Sequence, residues 1–204
     1  MMEVAQLLGT VVFAISGVVA VAERKLDWFG VLVVGAVTAV GGGTMRDLIL
    51  GRAPVFWIED DKYLLFALLG GLAAIPLVRH FGTSHARFER GLVLLDALGL
   101  SLFAVTGAQL TLELGFDGPT AVVCGILTGV GGGVIRDLLA GQHPLILRSD
   151  IYATAALAGT AIYVLLVEAA SLAQTPAMVV GAVTIFAIRT VAYEKGWSLP
   201  SLRH

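Results

Sequence analysis

Long apolar stretches separated by short charged connections constrain the fold of this chain more than any other feature. A helix needs about 20 consecutive apolar residues to cross the hydrocarbon core of a bilayer. Only 14% of the residues are charged, against roughly 25% in soluble domains, so the sequence predicts an all-α membrane protein with seven transmembrane helices. The seven candidate segments are Val4–Ala22, Trp28–Leu50, Tyr63–Val78, Gly91–Leu112, Pro119–Ala140, Ile151–Val167 and Pro176–Tyr193.

The first part of the sequence is repeated in the second. Aligning residues 1–60 with residues 91–150, without gaps, gives identical residues at about a third of the positions. The longest match is the run VGGG-x-x-RDL, which occupies residues 40–48 and again residues 130–138. An internal duplication of this kind is typical of membrane transport proteins.

Each copy contains three apolar segments, and this odd number determines how the copies are oriented. After three crossings the chain lies on the other side of the membrane, so the second copy enters it from the opposite side. The sequence therefore predicts two inverted three-helix repeats, related by an approximate two-fold axis in the membrane plane, and a seventh helix outside the repeat. The expected domains are residues 1–90, 91–172 and 173–204.

Basic residues concentrate in alternate connections between the segments. Nine lie on one side and two on the other, and an excess of lysine and arginine marks cytoplasmic connections. We therefore expect the amino terminus outside and the carboxy terminus in the cytoplasm. The nine residues are Arg24, Lys25, Arg79, Arg87, Arg90, Arg148, Arg189, Lys195 and Arg203, and the two are Arg52 and Lys62.

Three consecutive glycines stand in the middle of the second segment and three more in the middle of the fifth. Glycine weakens a helix by about 1 kcal/mol relative to alanine, and backbone groups freed inside lipid must be buried in protein or face water. The triplets are therefore expected to be unwound kinks of pore-lining helices near the membrane centre, with close helix packing as the alternative. The kinks would be Gly41, Gly42, Gly43, Gly131, Gly132 and Gly133.

An arginine and an aspartate follow each triplet, Arg46 with Asp47 and Arg136 with Asp137. Charged residues inside a membrane are costly and mark ion or substrate pathways. Because neighbouring residues on a helix point about 100° apart, the hypothesis pairs each arginine with the aspartate of the other copy. An ion pair that merely locks the two repeats together is the alternative. Further polar candidates for the same space are Thr38, Thr128, Asp96, Ser16 and Thr106.

With its two GGGxxRDxL runs, each followed by a proline, the chain resembles the prokaryotic members of the trimeric intracellular cation (TRIC) channel family, also grouped as the UPF0126 or glycine transporter domain family. The resemblance covers nearly the whole chain. It implies a homotrimer in the bacterial plasma membrane, with one pore in each protomer lined by the two glycine-kinked helices. Potassium, or sodium, would be the permeant ion, and no bound cofactor is implied.

The leading functional hypothesis is thus a potassium-permeable cation channel. The alternative is a secondary transporter of a small zwitterion such as glycine, whose carboxylate and ammonium groups would suit helix amino ends and opened carbonyl groups respectively. An enzyme is not expected, because the sequence contains neither HExxH nor GxSxG and its histidines lie in connections and at the terminus. The expected partners are the lipid bilayer and further copies of the chain, not nucleic acid.

Overall fold

The computed structural model describes residues 1–81, 85–148 and 151–197, and within these ranges it describes the side chains of all residues except 80, 81, 85–88 and 148. The side chains of Arg87 and Arg148 and the whole of Arg203, all predicted to be cytoplasmic, lie outside this description. The described residues form helices and no strand. The helices are α1 (Met2–Ala20), α2 (Trp28–Ile49), α3 (Phe56–Glu59), α4 (Lys62–Phe81), α5 (His85–Glu113), α6 (Gly118–Leu139), α7 (Leu145–Arg148), α8 (Ala153–Glu168) and α9 (Gln174–Lys195).

Six of these helices have the length and hydropathy needed to cross a membrane, namely α1, α2, α4, α5, α6 and α9. Helix α8 corresponds to the sixth predicted segment and is also apolar, but it contains only 16 residues. The fold is therefore that of an all-α membrane protein with six candidate spans and one shorter apolar helix.

Equivalent residues begin and end the two helices that carry the glycine triplets. Asp27 caps α2 and Asp117 caps α6, each accepting a hydrogen bond from a backbone N–H in the first turn. Hydrogen bonds from Thr120 hold the pKa of the Asp117 carboxyl below its usual value. After the last turns, Gly51 and Gly141 adopt φ angles of +68° and +64°, a region that favours glycine. These two glycines therefore terminate α2 and α6.

Two four-residue helices follow these ends and were not predicted from the sequence. Helix α3 begins two residues after Pro54, and α7 begins directly after Pro144. Both lie in stretches that the sequence analysis assigned to connections. The first backbone N–H of each short helix donates a hydrogen bond to a buried carboxylate.

Helix α5 lies at the centre of the bundle. It packs against α1, α6, α8 and α9, and it is the most deeply buried of the six candidate spans. Helices α4 and α9 are the most exposed of the six. The long contact between α2 and α6 joins the two copies of the repeated sequence.

Contacts between the two copies occur in reciprocal pairs. A Cβ built on Gly42 would overlap the carbonyl oxygen of Thr128, and one built on Gly132 would overlap the carbonyl oxygen of Thr38. Each residue of the second contact lies ninety positions from its counterpart in the first. The two copies therefore meet through equivalent surfaces, as subunits of a two-fold symmetric dimer do. The same pattern relates Gly41 and Ile135 to Gly131 and Met45, and Gly9 and Phe103 to Gly99 and Phe13.

Candidate functional site

Both glycine triplets lie inside unbroken helices. Helix α2 continues through residues 41–43 and α6 through residues 131–133, and all six glycines are buried. The prediction of unwound backbone is therefore wrong, whereas the prediction that the triplets lie in the protein interior is confirmed. Intact helical hydrogen bonds satisfy the backbone groups without water, which an apolar surrounding requires.

Close packing between α2 and α6 explains why the triplets contain no side chains. The middle glycines, Gly42 and Gly132, meet the backbone of the opposite helix. The first glycine of each triplet faces a side chain of that helix, Ile135 opposite Gly41 and Met45 opposite Gly131. At these positions an added methyl group would have to displace backbone or side-chain atoms, so the alternative of close helix packing accounts for the first two glycines of each triplet.

The third glycine of each triplet leaves room for the neighbours of a buried charge. A Cβ on Gly43 would meet the ring of Phe56, with 2.5 Å to the nearest ring atom. A Cβ on Gly133 would lie 3.0 Å from both Asp96 Oδ1 and the hydroxyl oxygen of Tyr152. Each triplet therefore contacts the opposite helix with its first two glycines and the neighbours of a charged cluster with its third.

In the first cluster, Arg46 pairs with its own neighbour in the chain. Its Nη2 and Nε lie 2.7 and 2.9 Å from Asp47 Oδ1, and the two side chains are 1% and 0% exposed. The other carboxylate oxygen of Asp47 accepts the backbone N–H of Phe56, the first residue of α3, at 2.8 Å. The guanidinium carbon of Arg46 lies 5.6 Å from the centroid of the Phe56 ring. One buried carboxylate thus holds both the arginine and the start of a short helix.

The second cluster repeats this arrangement. Arg136 Nε donates to Asp137 Oδ1 at 2.8 Å, and Asp137 Oδ2 accepts the N–H of Leu145, the first residue of α7, at 2.7 Å. The predicted exchange of partners between the copies, Arg46 with Asp137 and Arg136 with Asp47, is therefore wrong. The reason is the length of the arginine side chain, which turns back to the adjacent carboxylate although the two Cα–Cβ bonds diverge.

An additional carboxylate distinguishes the second cluster from the first. Arg136 Nη1 donates to Asp96 Oδ1 at 2.8 Å and to the hydroxyl of Ser16 at 2.6 Å. Ninety residues before Asp96 stands Gln6, whose side-chain oxygen accepts a hydrogen bond from the hydroxyl of Tyr63 at 2.9 Å. The predicted pathway residues Asp96 and Ser16 therefore lie together with Arg136. At this position the second copy of the repeat carries a negative charge, whereas the first copy has the neutral Gln6.

Sequence reasoning missed Arg189 and Tyr152 as members of the second cluster. Arg189 was counted among the cytoplasmic charges, but it is 2% exposed in α9 and its guanidinium carbon lies 5.0 Å from the centroid of the Tyr152 ring. Tyr152 interacts with both Arg189, through its ring, and the Asp96 carboxylate, through a side-chain hydrogen bond. Arg189 lies within the predicted segment Pro176–Tyr193, and this position in the sequence could have marked it as a buried charge.

The predicted threonines lie close to the crossing but not in contact with the charges. The hydroxyls of Thr38, Thr128 and Thr106 each donate to a carbonyl of their own helix, at 2.7, 2.6 and 2.9 Å. Such bonds are usual for hydroxyl groups in membrane helices. Ser16 differs, because its hydroxyl accepts a hydrogen bond from a guanidinium group.

A cavity of about 340 Å³ opens beside the first cluster, at the end of the bundle where α1 and α4 begin. The acidic residues Glu3, Glu59 and Asp60 line it, together with Phe56 and Tyr63, two aromatic rings in edge-to-face contact at 4.9 Å. Hydrogen bonds from Lys62 hold the pKa of the exposed Asp60 carboxyl below its usual value. Arg52 also lines the cavity and pairs with Glu59, so part of its negative charge is balanced. In the described part of the chain, no group of three or more His, Cys, Asp or Glu residues forms a metal site.

Comparison with known proteins identifies the family. The family described as "Glycine transporter" matches the chain twice, over residues 3–79 and 93–168. A UPF0126 membrane protein of Deinococcus radiodurans is 44% identical over 200 residues, covering 97% of this chain and 90% of the relative. The UPF0126 inner membrane protein YadS of Escherichia coli K12 is 41% identical over 197 residues, covering 96% and 93%.

Among solved structures, that of the trimeric intracellular cation channel orthologue from Rhodobacter sphaeroides is similar to this chain. It superposes with a TM-score of 0.89 at 39% sequence identity, covering 96% of this chain and 98% of that one. The matches of sequence and structure both extend over nearly the full length, and they include the helices that hold the two charged clusters. The chain therefore belongs to the glycine transporter (UPF0126) family of bacterial membrane proteins, and its fold is that of the prokaryotic TRIC cation channels.

Proposed function

We propose that this protein is a channel for monovalent cations, permeable to potassium, with a conduction pathway that follows α2 and α6. The observation that carries this proposal is the pair of buried arginine–aspartate clusters on either side of a glycine-lined helix crossing. Charges are retained inside a membrane protein chiefly where they serve an ion or substrate pathway. The similar solved structure, described as a cation channel, supports the same conclusion.

The repeats of this channel are inverted, with α1, α2 and α4 in the first, α5, α6 and α8 in the second, and α9 outside. Reciprocal contacts between the copies support a two-fold relation, since a contact and its counterpart ninety residues away both form. Three membrane helices per copy make the axis lie in the membrane plane. In this arrangement α8 is the seventh membrane helix, and the domains are residues 1–90, 91–172 and 173–204.

The charge distribution favours a cation over an anion. Within each cluster an aspartate neutralises the arginine that would otherwise repel cations. Asp96 then adds a carboxylate beside Arg136, and three carboxylates line the cavity beside the first cluster, where Arg52 and Lys62 pair with them. Negative charge along a narrow, partly buried pathway raises the local concentration of cations.

Opening of this pathway requires α2 and α6 to move relative to each other at the glycine triplets. Backbone atoms of the two helices are in contact at Gly42 and Gly132, which leaves no passage for an ion between them. Glycine permits a helix to bend at low cost. The triplets are therefore the kink positions in the conducting state, with Arg46 and Arg136 as the charges that move with them.

The channel is a homotrimer in the bacterial inner membrane, with the amino terminus outside and the carboxy terminus in the cytoplasm. Support for the assembly comes from the trimeric channel of similar structure. Support for the location comes from the inner membrane relative. Support for the orientation comes from the basic residues in alternate connections.

Single-channel recording from the purified protein in planar bilayers tests the proposal. We expect discrete open steps whose reversal potential follows the potassium gradient and not the chloride gradient. Arg46→Gln removes a buried positive charge next to Asp47 and should change the unitary conductance, whereas Arg24→Gln in the exposed connection should not. Matching elution volumes of the two variants on size exclusion provide the folding control.

The opposite result is also informative. Absence of unitary steps, together with saturable uptake of labelled glycine into liposomes containing the same preparation, would exclude the channel and favour the transporter of a small zwitterion. Identical conductance in the Arg46→Gln and unsubstituted proteins would show that the first cluster does not lie in the conduction pathway.

A further inference from the structure

A second cleft lies at the opposite end of the bundle from the cavity that Glu3, Glu59 and Asp60 line. No residue of the charged clusters lines it. It has a volume of about 170 Å³ and lies between the last turn of α1, the first turn of α2 and the last turn of α4. Its walls are apolar, and Arg79 is the one charged residue among them. The apolar walls are Val18, Ala22, Leu26, Val31, Ile75 and Val78, and Trp28 forms part of the rim.

The rim of the cleft has the composition of a membrane interface. Trp28 and Phe29 are 58% and 76% exposed at the first residues of α2, where aromatic side chains commonly anchor a helix at the level of the lipid headgroups. Arg24 and Lys25 lie in the connection that leads into α2, beside Glu23 and Asp27 and outside the lining of the cleft. The cleft therefore extends from headgroup level into the region of the acyl chains.

Arg79 is held in place but keeps its hydrogen-bond donors available. Its guanidinium carbon lies 5.1 Å from the centroid of the Trp28 ring, a stacking contact that uses the face of the guanidinium and not its N–H groups. Among the described residues, no carboxylate forms an ion pair with Arg79. A fixed cation with free donors above an apolar cleft complements a phosphate group that carries an acyl chain.

We propose that this cleft is a binding site for an anionic phospholipid such as phosphatidylglycerol. The phosphodiester accepts hydrogen bonds from the Arg79 guanidinium, and one acyl chain fills the space between Val18, Val31 and Ile75. The proposal does not depend on ion conduction, because no residue of either charged cluster lines the cleft. An anionic headgroup is preferred to a zwitterionic one, since Arg79 supplies positive charge at the cleft and no carboxylate lines it.

Quenching of Trp28 fluorescence by brominated phospholipids tests the site directly. The full chain carrying Trp57→Phe and Trp197→Phe retains Trp28 as its single tryptophan. It is reconstituted with phosphatidylglycerol or phosphatidylcholine that carry the same brominated acyl chains. We expect phosphatidylglycerol to quench with about fivefold higher apparent affinity, the effect of one basic residue near an anionic headgroup.

Three variants of this single-tryptophan protein distinguish a defined site from general surface charge. Arg79→Gln should reduce the fivefold preference to parity. Arg24→Gln, which removes an equal charge outside the cleft, should leave the preference unchanged. Ala22→Phe, which fills the cleft, should weaken quenching by both lipids. Elution volume on size exclusion shows that each variant is folded and assembled.

Several outcomes would overturn the proposal. Equal quenching by the two lipids in the unsubstituted chain would exclude a headgroup preference. An equal loss of preference in Arg79→Gln and Arg24→Gln would mean that diffuse charge, and not a site, attracts the lipid. Failure of either brominated lipid to quench Trp28 would mean that another copy of the chain covers the cleft.

Discussion

Asp47 and Asp137, the aspartates that follow the two motif arginines, each bind two groups. Asp47 neutralises Arg46 with one oxygen and accepts the first N–H of α3 with the other. Asp137 does the same for Arg136 and α7. Removing one partner of a buried ion pair typically costs 3–5 kcal/mol, so these residues couple the electrostatics of the pathway to the position of the short helices.

Asp96 gives Arg136 a second carboxylate partner, whereas Arg46 in the first cluster pairs with Asp47 alone. Asp96→Asn keeps the shape of the side chain but removes its charge, and it leaves Arg136 with Asp137 as its one carboxylate partner. We expect the variant to be destabilised by about 3 kcal/mol and the potassium-to-chloride permeability ratio to fall. Thermal unfolding in detergent and reversal potentials in salt gradients measure the two effects.

Ser16→Ala is the matched control for this change. It removes the other hydrogen bond to Arg136 Nη1 without altering any charge, so it should cost about 1.5 kcal/mol and leave the permeability ratio unchanged. A normal permeability ratio in Asp96→Asn, or an equal loss in both variants, would show that the charge of Asp96 does not select the ion.

At the scale of residues, the sequence predicted the buried charges of the two RD motifs, but it missed Arg189 and did not predict what each charge contacts. The side chain of Arg46 has several rotatable bonds, and the position of its guanidinium depends on the space left by Gly43 and Phe56. Asp96 could be recognised as a buried polar residue from the sequence, and its contact with Arg136 depends on the packing of α5 against α6. Pairing of buried charges is therefore a property of the packed bundle.

At the scale of elements, the packing of α2 against α6 decides between the two explanations of the glycine triplets, unwound kinks and close helix packing. Consecutive glycines weaken an isolated helix, yet here the helix is kept because an unmade backbone hydrogen bond in an apolar interior costs more than the glycines do. The hydrophobic pattern predicted these elements well. The ends of α2, at Trp28 and Ile49, lie within one residue of the predicted segment.

Gly42→Ala tests the crossing. The added methyl group would overlap the Thr128 carbonyl oxygen, a backbone atom that can move only if the two helices separate. We expect a loss of stability of about 3 kcal/mol, as for overpacking of a rigid core. Gly91→Ala is the control, because a Cβ at that helical position meets no atom within 4 Å, and it should stabilise α5 by about 1 kcal/mol.

Thermal unfolding of both variants in the same detergent provides the comparison. Equal stability of Gly42→Ala and Gly91→Ala would mean that α2 and α6 are not in backbone contact in the native protein.

The short helices α3 and α7 could not be predicted from the local sequence pattern. A four-residue helix has no hydrophobic periodicity, and each depends on a carboxylate eight or nine residues earlier in the chain.

For the whole molecule, the hydropathy pattern predicted the all-α membrane fold, and six of the seven predicted segments form helices long enough to cross a membrane. The exception is α8, whose 16 residues fall at the lower limit for a membrane helix. Arg189 is a second exception, because a basic residue inside the last turns of α9 was counted with the cytoplasmic tail. Composition locates segments well, but it does not distinguish a charge at the interface from one folded back into the bundle.

The orientation of the whole chain can be tested with single cysteines on a Cys124→Ala background, since Cys124 is the one native cysteine. Asp61→Cys, exposed between α3 and α4, should react with a membrane-impermeant maleimide in intact spheroplasts. Glu23→Cys, exposed between α1 and α2, should react only after the membrane is made permeable. The reverse order of labelling would place the amino terminus in the cytoplasm.

Reciprocal packing between the two copies limits how far they can diverge in evolution. At the crossing, a bulkier residue in place of Gly42 would press on Thr128, and the counterpart change at Gly132 would press on Thr38, so neither gene segment can drift there alone. Gln6 and Asp96 occupy equivalent positions but do not contact each other, and they have become different residues. Such a duplicated gene can therefore specialise its two halves away from the shared contact while the glycines at the contact stay alike.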